Sequence, residues 1–463
     1  MTKGSLLTIM AILSAILLVL VVARDIPDYY SYIPVLPFAS IFIFVFTKAK
    51  IGHQQIDVAS ALIFGISFVR YCLIPFLMVY GGYNTIMKIH IESNAPYAIL
   101  LMIYEEIVIY FALVCSSIRN RQSVVQIRNP RYSGKSFSLL LFLLAYVIVF
   151  VAIRPQMMDN YMSIFSLNQE EFTHAGRIES LEVGTFMRTF STLFTFFFNI
   201  LRIVLPVYLV GWLIRKKADN SFLVVVVLML VFLQFLFISA TFAESIVCSL
   251  IVILAIGKSS PEAQRKMLHI APVFVVGIIV LYFYIRYLVN EVSGSSRYSG
   301  DSVYSYLCSL VNAYFTGIDN VAASLNVERN MIWEHLTASL QITIPFNTTI
   351  FGKAGESLPT LYNAVNQVTG QIPSTVGNCY YYVGPIFSPL FSGLFSYFSV
   401  KFNAKASSTS EYWHYIDYIY ISIVCALALG MYNEVIALGW IGSWGIPLWL
   451  VAKYMDKTVH NKA

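Results

Sequence analysis

Long apolar runs separated by short polar segments dominate this chain. A helix of about 20 apolar residues crosses the roughly 30 Å of hydrocarbon in a bilayer, and the run FLVVVVLMLVFLQFLFIS is one such segment. The pattern predicts an all-α polytopic membrane protein that forms a single integral membrane domain over 1–463. We expect about twelve transmembrane helices, near 5–23, 31–48, 58–80, 96–117, 137–154, 187–214, 222–239, 242–257, 268–287, 380–400, 412–430 and 435–454.

Two polar segments interrupt this pattern, at 155–186 and at 288–379, the second of them between the ninth and tenth predicted helices. The second is far longer than a connection between helices needs. Apolar residues from Leu307 to Leu325 recur there every three or four positions, which predicts one amphipathic helix. Such a helix lies at the membrane surface or covers a cavity between the spanning helices. A small packed cap without chemistry is the alternative.

Composition and charge lead to the same fold class. Hydrophobic residues make up 58% of the chain and charged residues 12%, whereas an ordinary globular protein has about 25% charged residues. The net charge of +6 comes from Lys and Arg concentrated in the short segments on one side of the predicted helices. The positive-inside rule therefore places both termini in the cytoplasm and the two long polar segments outside it. Topology explains these basic residues, so no nucleic-acid partner is predicted.

Several classes of site are excluded by missing motifs. The six cysteines have no metal-ligand spacing, so no metal site and no cofactor are predicted. Cys308 and Cys379 both fall in the long polar segment, where they could form a disulfide. The chain contains no HExxH, GxSxG, GxxxxGK[ST] or GxGxxG motif, which argues against a protease, a serine hydrolase and an ATP-driven pump.

Charged residues also fall inside predicted spans, where an unpaired charge is costly. Arg70 lies near the middle of its helix, and Glu105 and Glu106 lie near the middle of the next one. Antiparallel neighbouring helices would bring these charges to a similar depth. They form either a structural ion pair or part of a proton or substrate pathway. Arg202 has no evident partner in the sequence and is a candidate to contact a lipid or a phosphate.

Arginines on the predicted outer side run against the positive-inside bias, so each needs a reason. An arginine makes bidentate contacts with phosphate and stays charged at any working pH. A converging group of them suits a lipid-linked pyrophosphate, both for binding and for stabilising the leaving group. Surface salt bridges to loop acids are the alternative for each one. The candidates are Arg154, Arg177, Arg188, Arg286, Arg297 and Arg329.

Candidate bases are fewer. His335 and His174 lie in the two outer segments and could accept a proton from a sugar hydroxyl. Asp319 is an acid in the same long segment, as are Asp301 and Glu334. In the first outer loop, ARDIPDYYSY, Asp25 and Asp28 are either catalytic carboxylates or part of a short polar turn that ends a helix, and we favour the turn.

Two stretches resemble a known family. These are IRYLVNEVSGSSRYSGDSVYSYLCSLVNAYFTGIDNVAASL (285–325), with a YFTGIDN turn, and QIPSTVGNCYYYVGPIFSPLFSGLFSYF (371–398). With the overall arrangement of helices and outer loops, they resemble the Wzy-type polymerases of oligosaccharide repeat units, which make bacterial O-antigen and capsular polysaccharide. The stretch 375–385 departs from the family by lacking an acidic residue, which leaves the general base unassigned.

The resemblance implies a fold similar to the membrane glycosyltransferases (GT-C-like) and a multi-pass location in the bacterial inner membrane. The implied substrate is undecaprenyl-diphosphate-linked oligosaccharide, and the implied partners are membrane lipids and a chain-length regulator. Implied catalytic residues are Arg286 and Arg297, to which our own reading adds His335 and Asp319. By their location alone, the candidates to bind substrate are Arg154, Arg177, Arg188 and Arg329. The glycan path would be lined by Asn378, Tyr380, Tyr381 and Tyr382.

Two other classes of function remain open at this point. A repeat-unit flippase or other secondary transporter also has about twelve helices. It usually has two similar halves and functional charges at the membrane midplane, whereas this chain has one long late loop. A glycan ligase or an acyltransferase would have nearly the same sequence pattern as a polymerase. We therefore expect a metal-independent membrane glycosyltransferase and keep these two alternatives.

Overall fold

The structure is a computed structural model. It describes residues 2–83, 87–119, 134–153, 185–236, 242–256, 302–344, 355–368 and 370–460, together with residues 85, 155, 260 and 350 and parts of 262–284. These residues are helical or lie in turns, and the β-type pairing found among them is an isolated bridge between Thr2 and Gln55.

The first eight helices contain most of the apolar runs. Helix α3 includes a π-helical turn at Val69–Leu73. The bounds are α1 Lys3–Val22, α2 Val35–Ile51, α3 Val58–Tyr80, α4 Ala95–Arg119, α5 Gly134–Ile153, α6 Thr185–Arg215, α7 Asn220–Leu236 and α8 Phe242–Ile256.

The helices whose bounds the structure describes after residue 300 number nine. Five of them are short and fill the predicted outer segment and its C-terminal edge: α9 Val303–Tyr314, α10 Ile318–Leu325, α11 Ile332–Thr343, α12 Leu358–Val365 and α13 Thr375–Val383. We call these five helices the cap. The others are α14 Leu390–Ser408, α15 Tyr412–Leu427, α16 Glu434–Trp440 and, after a π-helical turn, α17 Ile446–His460.

Six described helical segments are long and apolar enough to cross a membrane: Lys3–Val22, Asp28–Ile51, Val58–Tyr80, Glu92–Arg119, Phe196–Arg215 and Glu434–Asp456. Three shorter apolar helices are Phe137–Ile153, Asn220–Phe235 and Ala243–Ile256. On α1, the side chains of Ile12, Ile16 and Val19 are 56%, 52% and 68% exposed. Apolar faces of this kind belong in lipid. The chain therefore has the properties of a helical membrane protein.

Two boundaries differ from the sequence-based prediction. The predicted span 380–400 is divided, because α13 ends at Val383, with Gly384 as its C-cap, and α14 begins only at Leu390. Gly384 has φ +82°, a left-handed conformation that favours glycine, and Pro385 follows it. The tyrosines of 380–382 therefore belong to the cap and not to a spanning helix.

The predicted amphipathic helix over 307–325 is likewise two helices, α9 and α10. The chain turns at Phe315–Gly317, where Thr316 has φ +42°. Helix α10 is buried on every side from Ile318 to Ser324, including its polar residues. It is therefore a core helix of the cap and does not lie on a membrane surface.

The described chain divides into two compact units. The first comprises the described residues within Met1–Gln122, Arg297–Ala404 and Ile421–Ile441, and therefore includes α1–α4 and the cap. In this unit α1 packs on α2, α2 on α4, α9 on the end of α3, and α10 on α4 and α13. Apolar packing thus fixes the cap on the long helices.

The second unit comprises the described residues within Ser123–Ser296, Lys405–Tyr420 and Gly442–Ala463. Here α6 packs against α5, α7 and α8, and α17 contacts α5 and α6. Arg202 of α6 forms an ion pair with Glu244 of α8, with 2.9 Å between Nη1 and Oε2. The sequence analysis missed this partner and was wrong to treat Arg202 as lacking one. Glu244 was overlooked because it falls in the first turn of its helix, at the edge of an apolar run.

Candidate functional site

Arg70 is a fully buried basic residue of the first unit. It lies in the π-helical turn of α3 and is 1% exposed. Its Nη1 is 3.0 Å from Oε2 of Glu105 on α4 and donates to the carbonyl of Leu429 at 2.5 Å. Its Nη2 donates to the carbonyl of Thr316 in the cap at 3.3 Å. Acid and carbonyls together compensate the guanidinium, as a buried charge requires.

Glu105 is satisfied from several sides. The hydroxyls of Tyr71 and Ser392 donate to its two oxygens, at 3.2 and 2.6 Å. Glu106 accepts a hydrogen bond of 2.9 Å from Ser40 on α2. The Arg70–Glu105 pair predicted from the sequence is therefore present. Its complete burial and its dense set of partners favour the structural interpretation over a pathway.

The YFTGIDN turn rests directly on Arg70. Besides its carbonyl contact with the guanidinium, Thr316 donates its hydroxyl to the carbonyl of Gly430 at 2.9 Å. A Cβ atom on Gly317 would lie 2.2 Å from Oδ1 of Asn312, and one on Gly430 would lie 2.8 Å from Cδ of Arg70. The two glycines are therefore needed for close approach. This local motif positions the cap on the helices below it.

A network of amides holds the cap together. Asn312 of α9 donates to Oδ2 of Asp319 at 2.6 Å, and Asn320 donates to the carbonyl of Asn312 at 3.0 Å. The Tyr362 hydroxyl donates to Oδ1 of Asn320 at 3.1 Å. Asn366 donates to the carbonyl of Ala323 at 3.1 Å. These bonds satisfy buried polar groups and fix α9, α10 and α12 relative to one another.

Asp319, a predicted catalytic residue, is inside this network and only 2% exposed. Burial is the largest influence on its carboxyl and raises its pKa to about 7, while a hydrogen bond from Thr85 acts in the opposite direction. The group therefore holds a proton over much of the range in which a free aspartate is ionised. Because Asp319 is buried and accepts a hydrogen bond from Asn312, its contacts are structural ones within the cap.

His335, the predicted base, lies on α11 and is 5% exposed. Its Nδ1 is 2.5 Å from the hydroxyl oxygen of Tyr381 on α13, and that hydroxyl also contacts the carbonyl of Asn330. The carbonyl can only accept, so the phenol proton goes to Asn330 and the phenol oxygen accepts from Nδ1–H. The network thus places a proton on Nδ1, and in the neutral imidazole with this tautomer Nε2 carries the lone pair that can accept a proton.

Arg329 lies next to this pair but in an exposed position. Its Nε donates to the carbonyl of Tyr381 at 2.9 Å, and its guanidinium is 5.9 Å from the centre of the Tyr380 ring. A Cβ atom on Gly384 would be 3.4 Å from Nη1. Among the described residues no acid forms an ion pair with Arg329, so the salt-bridge alternative does not apply to it here.

The other residues predicted to line a glycan path are mostly buried. Asn378 donates to Oε1 of Glu434 on α16 at 2.8 Å and is 1% exposed. Tyr382 donates its hydroxyl to Ser339 at 3.0 Å, and Tyr381 is occupied by His335. Tyr380 is half-buried, so it alone of these four presents part of its side chain at the surface.

The structure thus brings together four of the predicted residues, Arg329, His335, Tyr380 and Tyr381, and places Asp319 and Asn378 in separate buried contacts. Arg154, Arg177, Arg286 and Arg297 lie outside the described residues, as do His174 and Asp301. Arg188 is on α6, but its side chain is not among those described. The convergence of outer arginines therefore stays a prediction.

Two minor expectations also have outcomes. Cys308 and Cys379 are both buried and form no disulfide with each other, so the suggested disulfide is absent. Cys308 lies on α9 and packs against Gly81, whereas the thiol of Cys379 contacts the carbonyl of Phe387. Each cysteine therefore has its own surroundings. Asp25 is exposed, and the exposed Asp28 begins a short 3-10 turn, as expected for a polar connection.

Sequence reasoning missed the partners that lie far away along the chain. Nothing in IWEHL indicates that His335 faces a tyrosine 46 residues later. Glu434 follows a helix-capping asparagine, Asn433, whose side chain accepts from the amide of Ile436 at 3.0 Å. That capping pattern was the available signal for an acid at a helix start and not inside a span.

Comparison of the chain with protein-family models, with curated proteins and with solved structures finds no match.

Proposed function

We propose that the protein is a membrane glycosyltransferase that polymerises lipid-linked oligosaccharide repeat units. The proposal rests on the apolar helices, on the resemblance of 285–325 and 371–398 to Wzy-type polymerases, and on the chemistry available in the cap. It includes about twelve spanning helices, cytoplasmic termini, a GT-C-like fold and a bacterial inner-membrane location. The substrate is undecaprenyl-diphosphate-linked oligosaccharide.

One observation carries the chemical part of this proposal. Within the part of the chain that the structure describes, an exposed guanidinium with no acidic partner, Arg329, is held next to a histidine whose Nε2 can accept a proton when the imidazole is neutral. Both contact Tyr381, Arg329 through its carbonyl and His335 through its hydroxyl. An anion-binding group and a base are therefore separated by the length of one tyrosine side chain. Glycosyl transfer from a diphosphate donor needs these two functions.

In the proposed reaction, a hydroxyl oxygen of the incoming lipid-linked unit forms a bond to the anomeric carbon of the growing chain. The bond between that carbon and the diphosphate oxygen breaks, and undecaprenyl diphosphate leaves with the electron pair. His335 accepts the hydroxyl proton at Nε2. Arg329 binds the diphosphate and stabilises the negative charge that develops on it. Tyr380 offers an aromatic face to a sugar ring.

The test is complementation in a strain that lacks this gene, with surface polysaccharide separated on a gel. Arg329→Ala and His335→Gln are expected to reduce the ladder to a single repeat unit, while the amount of protein in the membrane stays normal. Arg24→Ala is the matched control. Arg24 is another exposed arginine on the predicted outer side, with its guanidinium 4.8 Å from the centre of the Tyr80 ring.

Each outcome distinguishes the candidate functions. An unchanged ladder in the deletion strain would contradict polymerisation. Loss of even the single unit from the cell surface would favour a flippase. Full-length chains that accumulate on the lipid carrier would favour a ligase. A normal ladder in both Arg329→Ala and His335→Gln would leave polymerisation possible but remove the proposed site.

A further inference from the structure

A compact group of metal-binding side chains lies in the second unit. His414 is on the first turn of α15, Glu411 immediately precedes that helix, and Asp456 is on α17. Nδ1 of His414 is 2.6 Å from Oδ2 of Asp456 and 2.9 Å from Oε2 of Glu411. One ligand atom from each of the three residues lies within 4.8 Å of the other two. Two elements distant in sequence thus converge at one point.

The surroundings of the group suit a cation. The side chains of His414, Asp456 and Glu411 are 19%, 12% and 39% exposed, so the group is sheltered and still open to solvent on one side. The backbone amide of His414 donates to Oδ2 of Asp456 at 3.2 Å and fixes that carboxylate. An ion could therefore enter from solvent and meet oriented ligands.

Asp417 gives an independent indication. It lies three residues after His414, hence on the same face of α15, and is 1% exposed. Neither of its carboxylate oxygens has a hydrogen-bond partner among the described residues. It is close enough to His414 for the two groups to interact electrostatically. A buried carboxylate without hydrogen bonds is costly unless a positive charge is nearby.

We propose that Glu411, His414 and Asp456 bind one divalent first-row transition-metal ion of the Zn²⁺ or Mn²⁺ type. An imidazole nitrogen with two carboxylate oxygens is a ligand set for such ions, and three protein ligands leave a coordination position for water. Asp417 supplies additional negative charge from the next turn of the helix. The ion joins the start of α15 to α17.

The distances permit this with small adjustments. Two tetrahedral ligands at zinc bond lengths are about 3.3 Å apart, and the two nitrogen–oxygen distances here are 2.6 and 2.9 Å. Side-chain rotations that move these ligand atoms apart by a few tenths of an ångström therefore suffice to admit the ion. The same three groups can instead share one proton at Nδ1, and the experiment separates these two cases.

This site is independent of the proposed polymerase activity. It uses none of the residues assigned to glycosyl transfer, and the sequence analysis predicted no metal. A role in joining two helices does not require the ion to touch a sugar. Failure of the metal proposal would therefore leave the polymerase proposal unaffected, and the reverse also holds.

The test is metal binding to the purified full chain in detergent, first stripped with a chelator. Wild type is expected to bind one Zn²⁺ per chain, measured by titration calorimetry and elemental analysis, and to melt at a higher temperature with Zn²⁺ present. Mn²⁺ binding is followed by electron paramagnetic resonance. His414→Ala and Asp456→Asn should weaken Zn²⁺ binding at least about 100-fold, and Asp417→Asn about 10-fold.

Two further variants complete the design. Glu411→Gln is at the most exposed of the three ligands and before the helix begins, so it tests the site with the least risk to folding. His53→Ala is the control, because His53 is an exposed histidine outside the cluster, in the turn after α2. Equal Zn²⁺ binding by wild type, His414→Ala and Glu411→Gln would overturn the proposal. A melting temperature insensitive to Zn²⁺ in wild type, without stoichiometric binding, would assign the cluster to a shared proton.

Discussion

Arg70 and Arg329 are two arginines of the same unit in opposite surroundings. Arg70 is 1% exposed and bonded to Glu105 and to the carbonyls of Thr316 and Leu429. Arg329 is exposed, with one backbone contact and one aromatic ring and no acidic partner among the described residues. The first guanidinium has both terminal nitrogens bonded within the protein and its Nε buried away from any ligand, whereas the second keeps its terminal donors for a ligand.

The difference shows how a charge can be assigned to folding or to function. A buried charge whose contacts are complete stabilises one arrangement of helices and has little left for a substrate. An exposed arginine fixed only through Nε presents its remaining donors in a defined direction. Four variants test this comparison, and they are given in order of their expected effect on stability.

Arg70→Ala should have the largest effect. It leaves Glu105 as a buried carboxylate without its cation, which costs about 3–5 kcal/mol. Loss of folded protein is measured by the midpoint of thermal unfolding in detergent, followed by size-exclusion chromatography. The double variant Arg70→Met with Glu105→Gln should recover part of the loss. A single variant as stable as wild type would contradict the structural role.

Asp319→Asn should change the pH dependence of stability. The pKa of Asp319 is raised to about 7 in the folded protein, against about 3.9 for a free aspartate. The folded state therefore favours the protonated carboxyl. As a result, the contribution of Asp319 to the free energy of unfolding is fully present below about pH 4 and is lost as the pH rises to about 7, by up to about 4 kcal/mol. The amide of Asp319→Asn does not ionise, so this loss of stability with rising pH is absent in the variant.

The melting temperatures of wild type and Asp319→Asn are compared at pH 5 and pH 8. The melting temperature of wild type should fall relative to that of the variant between pH 5 and pH 8. Other buried carboxyls are present in both proteins, so the difference between the two curves reports Asp319. Parallel curves would show that the carboxyl is ionised in the folded protein at both pH values.

Tyr381→Phe should have an intermediate effect. It removes the hydroxyl between His335 and Asn330 and leaves Nδ1 of the buried His335 without this partner, at about 1–3 kcal/mol. Under the proposed function, the pH profile of polymerisation should also shift, because the tautomer of His335 is no longer fixed. Tyr382→Phe is the control, since it loses only its bond to Ser339. An identical pH profile in Tyr381→Phe would remove its positioning role.

Arg329→Ala should have the smallest effect on stability, within about 0.5 kcal/mol, as for other exposed side chains. The same variant is the one expected to stop polymerisation. Its melting temperature is measured beside that of Arg70→Ala under identical conditions. A loss of stability comparable with that of Arg70→Ala would place both arginines in the structural class and end the contrast between them.

The sequence was sufficient for features that depend on local composition. Apolar runs predict most of the long helices, because length and hydropathy alone determine whether a helix suits the bilayer. The Arg70–Glu105 pair was predictable as well, since the two residues are on consecutive helices at similar depth. Both predictions use neighbours in the chain or in adjacent helices.

Contacts between distant segments were not predictable in this way. The division of the 307–325 helix depends on Thr316 and Gly317 meeting Arg70 and Gly430, which periodicity does not reveal. The partners of Arg202 and His335 are 42 and 46 residues away in sequence. Three-dimensional packing decides which of several loop acids and tyrosines meets a given side chain.

The partners of Arg70 also differ in when the ribosome makes them. Glu105 belongs to the next helix, but Thr316 and Leu429 follow Arg70 by 246 and 359 residues. The guanidinium can thus be neutralised as α3 and α4 enter the bilayer as a hairpin. Its carbonyl contacts can form only after nearly the whole chain has been translated. The order of synthesis therefore allows the charge to be neutralised first and requires the cap to dock last.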